Sequence, residues 1–416
     1  MSKLNVWLVN QHAVQPSQGG GTRHFDIARA LKERGHRVTV WASSRNHGTG
    51  QEVRDHRGFE PVVEEVDGVT WVWVRTTPYF GNGVKRVINM LSFFVVFLYS
   101  ALLSTRGRLS KPDVIVGSSV HPLAPCATWV LSKLWGLPPV TEIRDIWPAA
   151  LVDLGVPKYH PIIIVFSLIE RFLYKFSTSV VTLLPTSPAH IAALGCPREH
   201  IFWVPNGTDL PLLPAEPRES EVLTARYLGT LGDGYALENV VEAGAILEKQ
   251  GAPVEILLQG RGPAEKRLRQ MVEQLGLQRV RILPAIPKTE VSQTLRSSDA
   301  LIFHLPPSPA YRWGISSNKL FDYLGSGRPV LFCCQAANNP VEESGAGFTV
   351  PPMNPEKLAE ALIEVQKLSA EERLKMGREG QRFIRENHTI EALAIRFEEA
   401  LQDTVRRGSS RYSEQS

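Results

Sequence analysis

The stretch GISSNKLFDYLGSGRPVLF, residues 314–332, has the pattern of a short helix between a polar loop and a buried strand. Ser316, Ser317 and Asn318 are residue types that favour helix N-caps, and apolar residues follow them at helical spacing. A Gly-Ser-Gly turn then leads into the apolar PVLF. A helix entered from a loop and left towards a strand is the repeating unit of a doubly wound parallel sheet, so this stretch predicts an α/β domain.

The N-terminus of this helix is a candidate anion site, because its first N–H groups have no partner within the helix and the helix dipole is positive there. Lys319 lies in the first turn, where a cation is unfavourable unless an anion binds beside it. Asp322 follows one turn later and could accept hydrogen bonds from ribose hydroxyls. An ordinary helix with a surface lysine and aspartate fits the same letters, so the stretch alone leaves both interpretations open.

Length and composition indicate a two-domain soluble protein. The 416 residues exceed what one hydrophobic core usually supports, and 21% of them are charged and 43% hydrophobic. The formal charge of +4 is too small to indicate nucleic-acid binding, but it is compatible with a phosphorylated ligand or an anionic membrane. The four cysteines have neither metal-ligand nor disulfide spacing, which favours a reducing compartment, and the N-terminal residues read as a first strand and not as a signal peptide.

The first half opens with a strand, a loop ending in three glycines at residues 19–21, a helix and a second strand, which together form a βαβ unit. Glycines allow the backbone to approach a bound group closely, and Arg23 adds a positive charge near the start of the helix. The glycines lack the spacing of the dinucleotide fingerprint, which argues against a dehydrogenase. The segment after the second strand, residues 45–66, is polar and is expected to be an irregular loop.

The most apolar segment covers residues 87–103 and has basic residues on both sides. Seventeen residues are at the short limit for a membrane span, so three interpretations stay open: a helix packed on a sheet, a helix at a bilayer interface, and a true span. A second apolar helix, Pro161–Phe176, carries three charged residues and is amphipathic, so it is weaker evidence for a membrane.

Polar residues follow two predicted strands of the first half, over residues 113–117 and 140–143. His121 comes after the first of them, and Arg144 and Asp145 come directly after the second. Ligands of parallel α/β sheets gather at the carboxyl ends of strands, so these three side chains are candidate site residues. A hydrogen-bonded structural histidine and a simple ion pair are the competing interpretations.

The second half repeats the same architecture. A proline-rich segment, residues 211–218, reads as a linker, and strands then alternate with helices through residue 305. Within this half, the glycine turn at residues 259–263 carries Arg261, a second candidate phosphate contact. Helices end the chain, and the polar tail over residues 407–416 is expected to be disordered.

Taken together, these motifs resemble the GT-B-fold glycosyltransferases of the large retaining family 4, and within it the bacterial O-antigen and capsule enzymes similar to N-acetyl-L-fucosamine transferases. The resemblance covers nearly the whole chain and is carried by six segments: GGGTRHFDIARALKERGHRVTV at 19–40, TEIRDIWP at 141–148, VPNGTD at 204–209, YLGTLG at 227–232, QGRGP at 259–263 and the stretch at 314–332. It implies two Rossmann-like doubly wound parallel-sheet domains with an interdomain cleft.

The resemblance also implies a division of labour along the chain. Residues 1–205 would bind the acceptor, residues 206–385 the nucleotide sugar, and residues 386–416 would form a helix that crosses back to the first domain, followed by the tail. The expected donor contacts are Gly20, Gly21, Arg23, Gly229, Thr230, Arg261, Gly262, Ser316, Ser317, Asn318, Lys319, Leu320 and Asp322. We expect His121, Asp145 and Lys319 to act in catalysis, and Arg144 with Asp145 to contact the acceptor.

Two departures from the family pattern concern the donor site. The family has an acidic pair eight residues apart, whose second member falls on Asp322, but the first falls on Gly314. The arginine and lysine that commonly follow Gly229 are also missing, since residues 230–247 contain no basic residue. Arg261, Lys319 and Arg312 are then the expected sources of positive charge.

The function implied is transfer of a sugar from a nucleotide sugar, expected to be UDP-linked, to a lipid-linked saccharide in cell-surface polysaccharide biosynthesis, with retention of configuration. No cofactor or metal is expected, since no cluster of Asp, Glu or His suggests one. The implied location is the cytoplasm, peripheral to the inner face of the cytoplasmic membrane. A GT-B-fold nucleotide-sugar epimerase and an inactive nucleotide-sugar-binding subunit are the alternatives.

Overall fold

The computed structural model describes residues 2–413 except 19, 20, 48, 80 and 82, with side chains described through residue 409. The chain forms two compact units. The first consists of Met1–Pro205 together with Ile390–Ser416, and the second of Asn206–Thr389.

The first unit is a sheet of eight strands covered by helices on both faces. Its elements in chain order are β1 (Asn5–Val9), α1 (Arg23–Glu33), β2 (Arg37–Ser43), β3 (Val62–Val66), β4 (Val69–Val74), α2 (Val84–Ser104), β5 (Val114–Ser118), α3 (Leu123–Trp135), β6 (Pro139–Ile143), α4 (Ala149–Asp153), α5 (Pro161–Phe176), β7 (Ser179–Thr182), α6 (Pro188–Ala193) and β8 (Ile201–Trp203). The strand order is β3-β4-β2-β1-β5-β6-β7-β8, and all neighbours are parallel except β3 and β4.

The central strands of this sheet are buried on both faces, as expected of strands covered by helices on each side. All residues of β1, β5 and β6 are buried. Phe25 and Leu31 of α1 pack against one face, and Phe93 and Phe97 of α2 against the other. The carboxyl ends of β1, β2, β5 and β6 therefore meet at one edge of the sheet.

The edge strand β3 corrects the expectation of an irregular loop over residues 45–66. Its sequence VVEEV has two adjacent glutamates and no buried residue, so it lacks the apolar pattern that predicts a strand. It forms because it pairs antiparallel with the buried β4, and because Glu64 receives hydrogen bonds from Arg54 and from the Trp73 indole.

The apolar segment is the helix α2, longer than expected at 21 residues, and it is long and apolar enough to cross a membrane by length and composition. One side packs on the sheet through Phe93 and Phe97, and Asn89 on that side is hydrogen-bonded to Gln11 and Thr76. The other side leaves large apolar side chains exposed. Packing of this kind is that of a helix lying on a sheet.

The second unit is a six-stranded parallel sheet with the order β11-β10-β9-β12-β13-β14. Its elements are β9 (Leu223–Leu228), α7 (Glu238–Lys249), β10 (Val254–Gln259), α8 (Glu265–Gln274), β11 (Val280–Leu283), α9 (Lys288–Arg296), β12 (Ala300–His304), α10 (Asn318–Gly325), β13 (Val330–Cys333), α11 (Pro340–Ser344), β14 (Gly347–Val350), α12 (Pro355–Lys367) and α13 (Ala370–Asn387). The strand order reverses at β9, and the crevice outside the carboxyl ends at such a point is where open α/β sheets bind ligands.

The last helix, α14 (Ile390–Ser413), belongs to the first unit, where Leu393, Phe397 and Leu401 join the core beside α1. Its length corrects the expectation of a disordered tail from residue 407, since the helix continues to Ser413. Arg407 explains part of the difference, because its guanidinium bonds Asp403 and the carbonyl of Glu199 and so holds the polar turn in place.

Candidate active site

The second unit brings Lys319 to the carboxyl end of β9. Its ammonium nitrogen donates a hydrogen bond to the Tyr227 hydroxyl at 2.5 Å. It also lies 4.1 Å from the ring centroid of Tyr227 and 3.8 Å from that of Tyr235, so the two rings enclose it. Among the residues that the structure describes, no carboxylate pairs with Lys319.

Burial of this cation has an energetic consequence. Loss of solvent around the ammonium lowers the pKa of Lys319 to about 7. Two aromatic faces and one hydroxyl compensate a buried charge only partly, because cation–π contacts contribute on the order of 0.5–2 kcal/mol. An anion at this point would restore the charge balance.

The helix that carries Lys319 begins as expected but is capped differently. Ser317 is the N-cap residue in extended conformation, and its side chain makes no capping hydrogen bond. Ser316 is bonded to Asn206 instead: its hydroxyl accepts from the Asn206 backbone N–H at 2.8 Å and its carbonyl accepts from the Asn206 amide at 2.6 Å. Asn318 and Lys319 form the first turn, Leu320 is buried beneath them, and Asp322 is partly buried one turn on.

Gly314, where the family pattern has its first acid, has a φ of 86°, a conformation that favours glycine. The following residue is fixed by Asn338, whose side chain accepts from the Ile315 N–H at 2.7 Å and donates to the Ile315 carbonyl at 3.2 Å. An acidic residue at position 314 would strain this loop, so the departure from the pattern is built into the backbone.

The two glycine turns of the second unit interlock. A Cβ atom at Gly260 would lie 1.8 Å from the carbonyl oxygen of Gly229, and one at Gly262 would lie 2.2 Å from that of Leu231. The Leu231 N–H donates to the Arg261 carbonyl at 2.9 Å, which joins the two turns. Thr230 and the Arg261 side chain are exposed on them. A Cβ atom at Gly229 would also lie 2.5 Å from Cε of Lys319, so this glycine makes room for the lysine.

In the first unit, Gly21 and Arg23 are the predicted donor contacts that lie among the described residues. Gly20 lies outside the described residues, and Gly21 is exposed just before α1. Arg23 is 4% exposed, and its guanidinium donates to Glu142 and to the carbonyls of Val204 and Pro205. The N–H groups of Arg23 are thus bonded to residues of its own unit and stabilise the fold there. Contact between Arg23 and the nucleotide sugar stays a prediction.

Glu142, at the end of β6, is the centre of a buried ionic cluster that the sequence analysis did not identify. Its carboxylate is 1% exposed and accepts from Arg23 at 3.1 Å, from His24 at 2.8 Å and from the Ser118 hydroxyl at 2.7 Å. Burial alone would raise the pKa of Glu142, but the neighbouring His24 and Arg23 hold that pKa well below its usual range. The cluster joins β6, α1 and β5 directly beneath the edge that carries Arg144.

His121 is fully buried behind β5. Its Nε2 lies 2.5 Å from the Gln11 side-chain oxygen, and Gln11 in turn donates to Asn89. Burial and then the charge of Arg86 lower the pKa of His121 to about 3, so the ring is neutral. The ring has no exposed surface in this structure, and its part in catalysis stays a prediction.

Arg144 and Asp145 lie where the strand pattern placed them, directly after β6. Asp145 is exposed and Arg144 is partly buried, with its backbone N–H donating to the Ser119 hydroxyl at 3.2 Å. Among the described residues no group of three His, Cys, Asp or Glu side chains could hold a metal ion.

Comparisons with known proteins agree on one class of enzyme. Residues 18–207 match the family model described as a glycosyl transferase 4-like domain, and residues 224–367 match that of the glycosyl transferases group 1. The chain is similar to the putative colanic acid biosynthesis glycosyl transferase WcaI of Escherichia coli, with 24% identity over 284 residues, 64% of this chain and 68% of the relative.

Solved structures share the fold at low sequence identity. The sucrose-phosphate synthase of Thermosynechococcus elongatus superposes with a TM-score of 0.72 at 15% identity over 96% of this chain and 98% of that one. The Escherichia coli trehalose-6-phosphate protein bound with UDP-2-fluoro glucose gives a TM-score of 0.69 at 12% identity over 96% and 99%.

Proposed function

Because the chain is a GT-B glycosyltransferase of the group 1 type, we propose that it transfers a sugar from a UDP-sugar to a lipid-linked glycan in cell-surface polysaccharide biosynthesis, with retention of configuration. The relative WcaI is named for colanic acid biosynthesis, which supports the polysaccharide class. The trehalose-6-phosphate protein binds UDP-2-fluoro glucose, which supports a UDP-linked donor.

One observation carries the proposal: Lys319, partly buried and without a carboxylate partner among the described residues, faces the carboxyl end of β9, beside a turn that only glycine can form. A nucleoside diphosphate supplies the negative charge that Lys319 lacks. The N-terminal N–H groups of α10 and the exposed Arg261 add donors for the same group, and Asp322 binds the ribose.

The chemistry follows from the charge that develops in the reaction. The bond from the anomeric carbon to the diphosphate oxygen breaks, and negative charge grows on the leaving group while the sugar becomes oxocarbenium-like. Lys319 and the backbone N–H groups are fixed before the reaction, so they stabilise that charge without reorganisation. The acceptor hydroxyl attacks on the same face, its oxygen bonds to the anomeric carbon, and its proton passes to the leaving diphosphate. Positive side chains and N–H dipoles take the place of a divalent ion in this mechanism.

A screen of nucleotide sugars tests the function. The full-length protein is incubated with each UDP-sugar, with and without a membrane extract that contains lipid-linked glycans, in buffer with EDTA. Transfer of sugar to the lipid fraction is expected with at least one donor. Isomerisation of a donor without acceptor identifies an epimerase instead, and absence of UDP binding identifies a protein without a donor site.

We further propose that the first unit lies on the cytoplasmic face of an anionic membrane. α2 and α5 both pack beside α3, and each leaves large apolar side chains exposed. The exposed apolar residues are Val84, Ile88, Leu91, Val95, Tyr99, Leu102, Leu103, Ile164, Val165, Leu168 and Phe176. Exposed basic residues, including Lys85, Arg106 and Lys175, flank these helices, as expected of a surface that meets anionic headgroups.

Sedimentation with anionic vesicles tests the membrane proposal. Leu91→Glu combined with Val95→Glu is expected to reduce binding at least about tenfold, because two charges enter the apolar contact. Leu275→Glu, at a similarly exposed leucine of the second unit, serves as the matched control and leaves binding unchanged. Equal loss in both variants, or no loss in the double variant, would contradict the placement.

A further inference from the structure

A row of five rings lies at the carboxyl edge of the first sheet, and no role has been given to its outer members. In order, the row consists of Tyr79, His47, His12, His121 and Phe93. The ring centroids of successive members lie 6.2, 4.2, 6.3 and 6.2 Å apart. His12 follows β1, His47 follows β2, Tyr79 follows β4 and His121 follows β5. We call these residues the ring row.

The inner end of the ring row is fixed and the outer end is presented to solvent. His121 is held by Gln11, and the Gln11 amide donates to Asn89 of α2. His12 stacks on His47 with an interplanar angle of 15°. His47 is exposed, and its Nδ1 lies 2.5 Å from the Tyr79 hydroxyl. The packing therefore positions the two outer histidines as a rigid pair.

Within the ring row, His12 has two ring nitrogens that are available for hydrogen bonds to a ligand. It is partly buried, yet within the described part of the chain neither of its ring nitrogens has a hydrogen-bond partner. A recess beside it, lined by Gln11, His12, Ser43 and His47 among others, has room for about one hydroxyl-sized group. A polar ring that is held in place and left without a partner is an arrangement that a ligand can complete.

Charge decides which class of ligand fits. Burial, and after it the charges of neighbouring histidines and arginines, lower the pKa of His12, and burial and Arg86 lower that of His47. Both rings are neutral near pH 7, so His12 offers one N–H donor and one nitrogen acceptor, whereas His47 has only Nε2 left beside its contact with Tyr79. Such groups suit hydroxyls, which both donate and accept. A phosphate only accepts, so it would leave the acceptor nitrogen of His12 without a partner, although Arg86 and Arg144 nearby would attract its charge.

We propose that His12 and His47 form a subsite for a pyranose ring of the acceptor glycan. The nitrogens of His12 exchange hydrogen bonds with ring hydroxyls, and the exposed surface of His47 packs against the apolar C–H side of the sugar. Pockets for small ligands combine aromatic surface with a few oriented polar groups in this way. The inference rests on the proposed transferase function, because it names where that enzyme would hold the sugar it extends.

Saturation-transfer NMR on the full-length protein tests the subsite. The probes are methyl α-D-glucopyranoside, methyl α-D-galactopyranoside and methyl α-L-fucopyranoside, each with saturating UDP. We expect at least one probe to give a signal that His12→Ala with His47→Ala reduces at least about fivefold. His47→Phe keeps a ring and is expected to retain more signal than His47→Ala, which a merely structural loss would not produce.

The control is His200→Ala, which changes a partly buried histidine that precedes β8 and is expected to have no effect on the signal. UDP affinity, measured on the same samples, distinguishes failure of the subsite from failure of the proposed transferase function. Normal UDP binding with no glycoside signal, or a signal unchanged in the double alanine variant, overturns the subsite alone. Displacement of the glycoside by inorganic pyrophosphate overturns it in favour of a phosphate site. Absence of UDP binding overturns the proposed function itself.

Discussion

The two sheets differ in how charged side chains are paired at the edges where their strands end. In the first unit, Glu142 is paired with Arg23 and His24, and His12 at the same edge of the sheet is neutral near pH 7. In the second unit, Lys319 is partly buried against two tyrosine rings and has no acidic partner among the residues described. The difference indicates that the first edge suits an uncharged, hydroxyl-rich ligand and that the second edge is built for an anion.

Removal of the unbalanced cation is expected to have the largest effect. Lys319→Met should lower turnover by about 10²–10³-fold, as loss of one preorganised donor to a developing anion does. The same change should raise the melting temperature, because it removes a poorly compensated buried charge. Steady-state kinetics and calorimetry measure the two effects.

Lys367→Met is the matched control, since Lys367 is exposed at the end of α12. It should change neither quantity. Unchanged turnover in Lys319→Met would break the comparison, because the second edge would then have no need of its cation.

Loss of the Glu142 carboxylate should lower the free energy of unfolding of the protein and leave the charge at the Lys319 site unchanged. Glu142→Gln leaves Arg23 and His24 without their carboxylate, and removal of one partner of a buried ion pair costs about 3 kcal/mol. Denaturant unfolding of the first unit measures this cost, with Glu65→Gln of the exposed β3 residue as control. A cost below about 1 kcal/mol would mean that the cluster is not the paired structure described here.

The low pKa of Glu142 also fixes the sign of a pH effect. Because this pKa is depressed in the folded state, the unfolded chain binds more protons in acid, and the stabilisation is lost as the pH falls through the folded value. The pH dependence of wild-type stability below the ordinary glutamate range should therefore be steeper than that of Glu142→Gln.

The interlocked turns should be necessary for the anion site. Gly260→Ala places a Cβ atom against the Gly229 carbonyl, and we expect it to destabilise the second unit by about 3 kcal/mol and to weaken UDP binding. Gly251→Ala also changes a glycine of positive φ, but its Cβ atom meets no atom within 4 Å, so it should cost only about 1 kcal/mol and leave UDP affinity intact. Equal effects of the two variants on UDP affinity would show that the contact between the turns is unimportant.

The smallest expected effect is a proton taken up with the donor. The pKa of Lys319 is lowered from 10.5 to about 7, so at pH 8 the free lysine is mostly neutral, whereas a diphosphate beside it favours the ammonium. Titration of UDP in Tris and in HEPES at pH 8 should reveal uptake of about one proton, absent from Lys319→Met. Equal observed enthalpies in the two buffers, before any correction for buffer ionisation, would contradict this linkage.

Local sequence patterns predicted most of the fold. The fold class is confirmed, and Pro161–Phe176 has the expected bounds, because its apolar residues follow one helical period. The strand β3 was missed because it has no buried residue, although Asp67 and Gly68 join it to β4 by a local hairpin turn. The end of α14 was missed because it is polar and is held by Glu199, a partner distant in sequence. Periodicity reports burial on one element and says nothing of such partners.

Site residues were predictable only where they lie together within one sequence motif. Lys319 occupies the first turn of the helix as the motif requires. The two tyrosine rings around Lys319 were not predicted, because Tyr227 lies in a strand, where a tyrosine is typical of the core, and Tyr235 lies in a turn. The bond between Arg23 and Glu142 joins residues 119 positions apart, so no local pattern distinguishes this buried pair from two surface charges.

A structure of the protein with UDP tests the central claim most directly. We predict that the Lys319 ammonium nitrogen lies about 3 Å from a diphosphate oxygen, the distance of a charge-assisted hydrogen bond. A diphosphate bound elsewhere, with that nitrogen more than about 6 Å from every phosphate oxygen, would contradict the account, since the charges would then interact only through solvent.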